Sequence, residues 1–173
     1  PEIAPPPLPE TPPAFSADEA APAAVQAVPL SKSFDDFIGR ISALFGNSEE
    51  TAPKLIAELF RALDERRAEA TFGLDLIGSG KKELPEEPGS GPVHFCWGYL
   101  AHLTGRNGLA INLLTQAVGL GAAYSQCYLV LARCCLAKNL TEKALINYNF
   151  ASRIDPALSE ARIGAARCHV LMG

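Results

Sequence analysis

Histidine and cysteine are the side chains of this sequence best suited to nucleophilic, acid–base or metal chemistry, and their spacing works against all three. The chain holds His94, His102 and His169 together with five cysteines, Cys96, Cys127, Cys134, Cys135 and Cys168. His94 and Cys96 stand two residues apart, and Cys168 and His169 are adjacent. On a helix such neighbours point in different directions, because residues three or four apart are the ones that share a face. A zinc site needs four ligands converging tetrahedrally, and no pair of Cys-x-x-Cys elements is present, so neither a metal nor any other cofactor is expected. An odd number of cysteines argues against a disulfide framework and for a reducing, cytoplasmic setting. Cys134 then reads as filling a small buried space, and Cys127 and Cys135 read the same way unless exposure makes either reactive.

The stretch GSGKK, Gly78 to Lys82, hints at a phosphate loop but has neither the G-x-x-x-x-G-K-[ST] spacing nor a strand before it. The paired carboxylates Asp35-Asp36, Glu49-Glu50 and Glu86-Glu87 are sequence neighbours that splay apart. They suit helix starts and solvated loops, since acids favour the positive end of a helix. No nucleophile and base can be paired, so an enzyme is not expected. The net charge of −4 hides a partition. Residues 1–30 carry four acids and no Lys or Arg, residues 31–90 carry twelve acids against eight Lys or Arg, and residues 91–173 carry three acids against seven. This favours an acidic protein partner, or contact between the halves of the chain, over nucleic acid, for which there is no dense Lys/Arg cluster. No run of ~18 apolar residues occurs, so a transmembrane helix is not expected, and no basic start followed by a hydrophobic stretch is visible; the sequence begins without methionine, which leaves a targeting segment upstream open.

The elements that would position these groups follow from a repeat. Shifting the sequence by 34 residues aligns Gly98 with Ala132 and Ala166, and Gly105 with Asn139 and Gly173. The same shift sets Ala110 on Ala144, Ala117 on Ala151, Leu114 on Tyr148 and Trp97 on Leu131, so small meets small and large meets large. Each unit reads as two helices separated by a residue that tolerates the left-handed conformation. In the unit beginning at Ser125 the first helix is predicted over about 126–138 and the second over 141–153, with Thr141 as N-cap and Pro156 blocking continuation.

Tyr128, Leu131, Ala132, Ala144, Tyr148, Ala151, Ile154, Asp155 and Pro156 resemble the tetratricopeptide repeat signature. The unit from Gly91 to Tyr124 keeps Gly98, Gly105, Ala110, Ala117 and Leu120 but has His94 at the first aromatic position and Ala122 where a proline is usual. From Ser159 onward there is a first helix alone, with Ala165 and Ala166 at the interlocking positions. The resemblance implies a stack of antiparallel helix pairs and a binding role rather than a reaction. About three such units are usually needed for stability, so the chain's two and a half call for the N-terminal half or a partner to cover an exposed end.

The family geometry further implies a concave face made by the first helix of each unit. The partner-binding residues expected there are Phe95, Tyr99 and Leu103, then Leu129, Arg133 and Leu136, then Ile163 and Arg167, with Val170 beyond. Such a surface suits an extended protein segment, acidic or proline-containing, with arginine pairing a carboxylate or a carbonyl. Phe95 and Tyr99 stand where the chaperone-docking branch of the family needs a Lys and an Asn, so a carboxylate clamp is not expected. The layout also resembles small tetratricopeptide chaperones of type III secretion translocators, which end near a motif similar to AARCHVLMG, residues 165–173. That resemblance implies a secreted client as the alternative to a scaffold or adaptor role in a larger assembly.

Upstream, residues 1–30 are rich in Pro and Ala and read as an extended tail, one that could also lie along another subunit. Residues 31–77 read as an N-terminal helical segment. Its first helix carries Phe34, Phe37, Ile38, Ile41, Leu44 and Phe45, with Ser33 and Asp36 as a capping pair and Gly46 as a stop. Its second begins near Thr51, tolerates Pro53 in the first turn and carries Leu55, Ile56, Leu59, Phe60 and Leu63. The hairpin packs on the first repeat or serves as a docking element. Residues 78–92 read as a flexible linker between it and a repeat domain over 93–173. The expected fold is therefore all-α, a helical hairpin and Pro-rich tail preceding about two and a half antiparallel helix-pair repeats in a tetratricopeptide-like α-solenoid.

Overall fold

The computed structural model describes residues 33–45, 48 and 50–173. The tail expected over residues 1–30 and the stop expected at Gly46 lie outside the described residues. The described residues form eight helices and no strand: α1 (Phe34–Phe45), α2 (Ala52–Glu65), α3 (Arg67–Gly78), α4 (Gly91–Leu103), α5 (Asn107–Gly119), α6 (Ser125–Ala137), α7 (Thr141–Ile154) and α8 (Ser159–Met172). Helices α4, α6 and α8 begin 34 residues apart, as do α5 and α7. Each helix of this half packs on the next, α4 with α5, α5 with α6, α6 with α7 and α7 with α8, while α2, α4, α6 and α8 touch in that order.

The turns inside the pairs follow from backbone chemistry. Gly105 and Asn139 take φ of 77° and 60°, Asn139 being the one non-glycine among the described residues with positive φ. The left-handed residue lets the chain fold back on the last carbonyls. Arg106 N–H donates to Ala101 O at 2.8 Å, and Leu140 N–H donates to Cys135 O at 2.9 Å, the same closure 34 residues later. Pro156 ends α7 as expected, holding Asp155 extended at ψ 94°, and the Asp155 carboxylate accepts from Ala157 N–H at 2.9 Å. Thr141 is the first helical residue rather than the N-cap, a place that falls to Leu140. Ala122 N–H donates to Ala117 O at 2.8 Å, a bond a proline at this position could not make.

Small residues sit where helices meet most closely. A Cβ on Gly98 would stand 2.8 Å from Leu114 Cγ, and Ala132, Ala144 and Ala151 are fully buried. Replacing Ala144 by leucine is expected to cost ~1–3 kcal/mol by overpacking the α6–α7 contact. A thermal melt no lower than the parent's would contradict that register. Ala166, expected to interlock as Gly98 and Ala132 do, is exposed, because that position faces the second helix of its own unit and no described helix follows α8.

The N-terminal segment departs from a two-helix hairpin. α2 stops at Glu65 and a third helix, α3, starts at Arg67, with Arg66 between them at φ −132° and ψ 37°. Arg66 is anchored by an ion pair to Glu69 and lies over the Phe34 ring. The break turns Ala70, Gly73 and Leu74 inward, and Gly73 comes so close to Trp97 that a Cβ there would stand 2.4 Å from the indole. Helices α1, α2 and α3 all touch α4, and Phe34 through Cys168 belong to one buried cluster. The segment between α3 and α4 is mostly exposed but touches the rest of the chain at particular points. Lys82 lies 4.4 Å from the Trp97 ring centroid and pairs with Asp35, Leu84 packs on the core, and Gly91 and Pro92 are buried inside the start of α4.

Candidate functional site

Helices α4, α6 and α8 carry the residues expected to bind a partner, and their environments divide them. Phe95, Tyr99 and Leu129 are buried. Phe95 packs edge-on to Tyr124 with ring centroids 4.9 Å apart, and Tyr99 meets Phe60 of α2 edge-on at 5.8 Å. Phe95 and Tyr99 serve the core because the apolar stripe of α4 is wide enough to be claimed by α2 on one side and α6 on the other, and Leu129 of α6 lies in the same buried cluster. Leu103, Arg133 and Leu136 are partly exposed, and Ile163, Arg167 and Val170 are exposed, Ile163 to 68%.

Arg133, Leu136, Ile163 and Arg167 come together around one cavity of about 400 Å³ between α6 and α8, whose wall also includes Ala137, Tyr148, Glu160 and Gly164. Helices α7 and α8 approach closely here because Gly164 has no side chain, and a Cβ would lie 2.4 Å from the Tyr148 ring. Tyr148 therefore forms the floor and Leu136 and Ile163 the apolar sides. Arg133 forms an ion pair with Glu160 across the mouth. Burial raises the Tyr99 hydroxyl pKa, Arg133 opposes that shift and Glu160 adds to it, so α4 joins α6 and α8 in one electrostatic neighbourhood. Burial likewise raises the Tyr148 hydroxyl pKa, keeping the floor neutral.

Leu103 belongs to a second cavity, about 490 Å³, between α2 and α4, with Phe60, Arg61, Leu63, Asp64 and Arg67. Phe60, read from the sequence as a packing residue, is half exposed and contributes to this cavity. Glu160, Tyr148 and Gly164 were not among the expected site residues. The 34-residue register aligns Glu160 with Gln126 rather than with Arg133, so their pairing is set by how α6 and α8 pack.

The five cysteines, His94 and His102 behave as packing groups, whereas His169 is exposed. His94 is buried and its Nδ1–H donates to Ser90 O at 3.3 Å. His102 Nδ1 stands 3.3 Å from Cys134 Sγ, a pairing 32 residues apart that neither local spacing reveals. Burial pushes the Cys134 thiol up to about 12 and the His102 imidazole down, so the pair is a neutral thiol beside a neutral ring rather than an activated thiolate. All five cysteines are free and buried, and burial raises the pKa of Cys96 and Cys127 as well. Among the described residues no group of three or more His, Cys, Asp or Glu is placed to hold a metal, and no helix is long and apolar enough to cross a membrane. Compared with protein-family models and with curated proteins, the sequence matches none.

Proposed function

We propose that this protein is a non-catalytic interaction adaptor, a tetratricopeptide-like stack that holds an extended segment of a protein partner within a larger assembly. The observation that carries the reading is the α6–α8 cavity: an apolar floor and walls open to solvent, with Arg133 and Arg167 at its edge. An extended chain offers alternate side chains to such a groove and carbonyls or carboxylates to the arginines. The contact set narrows to Arg133, Leu136, Ile163 and Arg167, with Leu103 extending it toward α2. Phe95, Tyr99 and Leu129 would act by shaping the backbone beneath. Five free thiols suit action in the cytoplasm. The alternative, a chaperone of a secreted client, is favoured by one observation, the packing of α1–α3 against α4, which matches the layout implied by that resemblance.

The test is photocrosslinking in native extract from p-benzoylphenylalanine placed at Ile163, compared with the same group at Ile146, exposed on α7. Adducts to one set of proteins at position 163 and not at 146 are expected, and equal labelling at both would overturn the groove assignment. Their identity separates a scaffold's fixed neighbours from a single secreted client. Arg133→Glu is expected to weaken the captured partner by at least ~1 kcal/mol, the scale of a charge-assisted hydrogen bond. An unchanged affinity in isothermal titration would count against the arginine's role.

A further inference from the structure

The α6–α8 groove is open and its cations are incompletely neutralised. Arg133 is paired with Glu160, but Arg167 beside it pairs with no carboxylate among the described residues, and neither does Arg67 at the α2–α4 cavity. The region carries a net positive charge: residues 133–167 hold six Lys and Arg against three acids, and Arg133 and Arg167 are the two of those bases that line the groove. The complementary charge is in the same molecule. Residues 1–30 hold Glu2, Glu10, Asp18 and Glu19 and no Lys or Arg, interspersed with the apolar Leu8 and Phe15.

We infer that residues 1–30 of this chain dock in cis along the α6–α8 groove, acidic side chains toward Arg133 and Arg167 and an apolar side chain in the cavity between them, so that a partner must displace them to bind. This rests on the adaptor reading, since it uses the same groove. Reach is ample. Residues 1–30 lead into α1, which packs on α4, and α4 to α8 is two helix-to-helix steps, roughly 20 Å at 8–10 Å each, whereas thirty residues extend to about 100 Å. The proline content lowers the conformational entropy lost on docking, because each ring already fixes φ. A second copy is the poorer occupant: apposing two α8 helices brings the exposed Arg162 and Arg167 of each copy near the same arginines of the other, and like charges brought together disfavour association.

The experiment uses the full chain with p-benzoylphenylalanine at Ile163, irradiated as a mixture of unlabelled and heavy-nitrogen-labelled protein and mapped by mass spectrometry. The expected result is a dominant adduct joining position 163 to residues 1–30 of the same isotope. It should fall several-fold in the variant Glu2→Lys, Glu10→Lys, Asp18→Lys, Glu19→Lys, and also in about 1 M salt, where the screening length shrinks to ~3 Å. Adducts joining light to heavy chains would replace the proposal with a second copy. Adducts outside residues 1–30, none at all, or adducts insensitive to charge reversal would equally overturn it. Capture of foreign proteins in extract without a cis adduct would sink this inference and leave the adaptor reading standing, whereas neither kind of adduct would sink both.

Discussion

Trp97→Ala is expected to lower stability by about 3–5 kcal/mol, the cost of emptying a buried aromatic site whose walls cannot collapse. Trp97 is the joint between the N-terminal helices and the repeat half. Its ring centroid is 5.6 Å from that of Phe34 on α1, Lys82 lies over its face, and the Gly73 backbone of α3 is in close contact with the indole. Removing it takes away contacts to three segments at once while leaving α6, α7 and α8 untouched. Urea denaturation should show a lower midpoint, and hydrogen exchange should accelerate over 34–78 before it does over 125–172. A midpoint equal to the parent's would mean that α1–α3 are held to α4 by something other than this contact.

The second large effect is expected from Gly91→Val. A Cβ at residue 91 would stand 2.7 Å from Ala122 N and 2.8 Å from Ala117 O, both backbone atoms. Those two atoms are the donor and acceptor of the bond that closes the end of α5. A side-chain neighbour can rotate away, but a hydrogen-bonded backbone has to move as a unit, so the cost should reach ~3 kcal/mol, the upper part of the usual overpacking range. For a chain of this size that corresponds to a fall in Tm of roughly 6–12 °C. Gly164→Ala is the useful comparison, because the atoms it meets belong to the Tyr148 ring. If differential scanning calorimetry found Gly91→Val no worse than Gly164→Ala, the backbone would be more yielding at the α4–α5 junction than the geometry implies.

Much of the helical half was legible in the sequence because each feature there has a local cause. The 34-residue spacing of small and large residues predicted helix pairs, and the starts of α4, α6 and α8 keep it. Asn139 and Gly105 close their helices through a conformation that few other residues accept, and Pro156 removes a donor wherever it stands. These are properties of one residue and its immediate neighbours, so no tertiary contact was needed to read them.

The α2–α3 break, the contacts of the segment after α3 and the burial of Phe95, Tyr99 and Leu129 were decided by tertiary packing. Arg66 and its flanking residues are good helix formers with no glycine or proline among them, and the chain breaks there because Gly73 and Leu74 must turn toward Trp97. Residues 79–90 have a linker's composition, yet Lys82 and Leu84 find partners that lie far away in sequence. The repeat register placed Phe95 and Tyr99 on the first helix of a pair. Whether such a side chain meets a ligand or the core depends on what lies opposite, and opposite Tyr99 lies Phe60 of α2, a residue no local pattern connects to it. Sequence alone thus determined where this chain turns and where its helices can approach; only the packed structure decided which apolar residues remained exposed, because burial depends on all the neighbouring elements together.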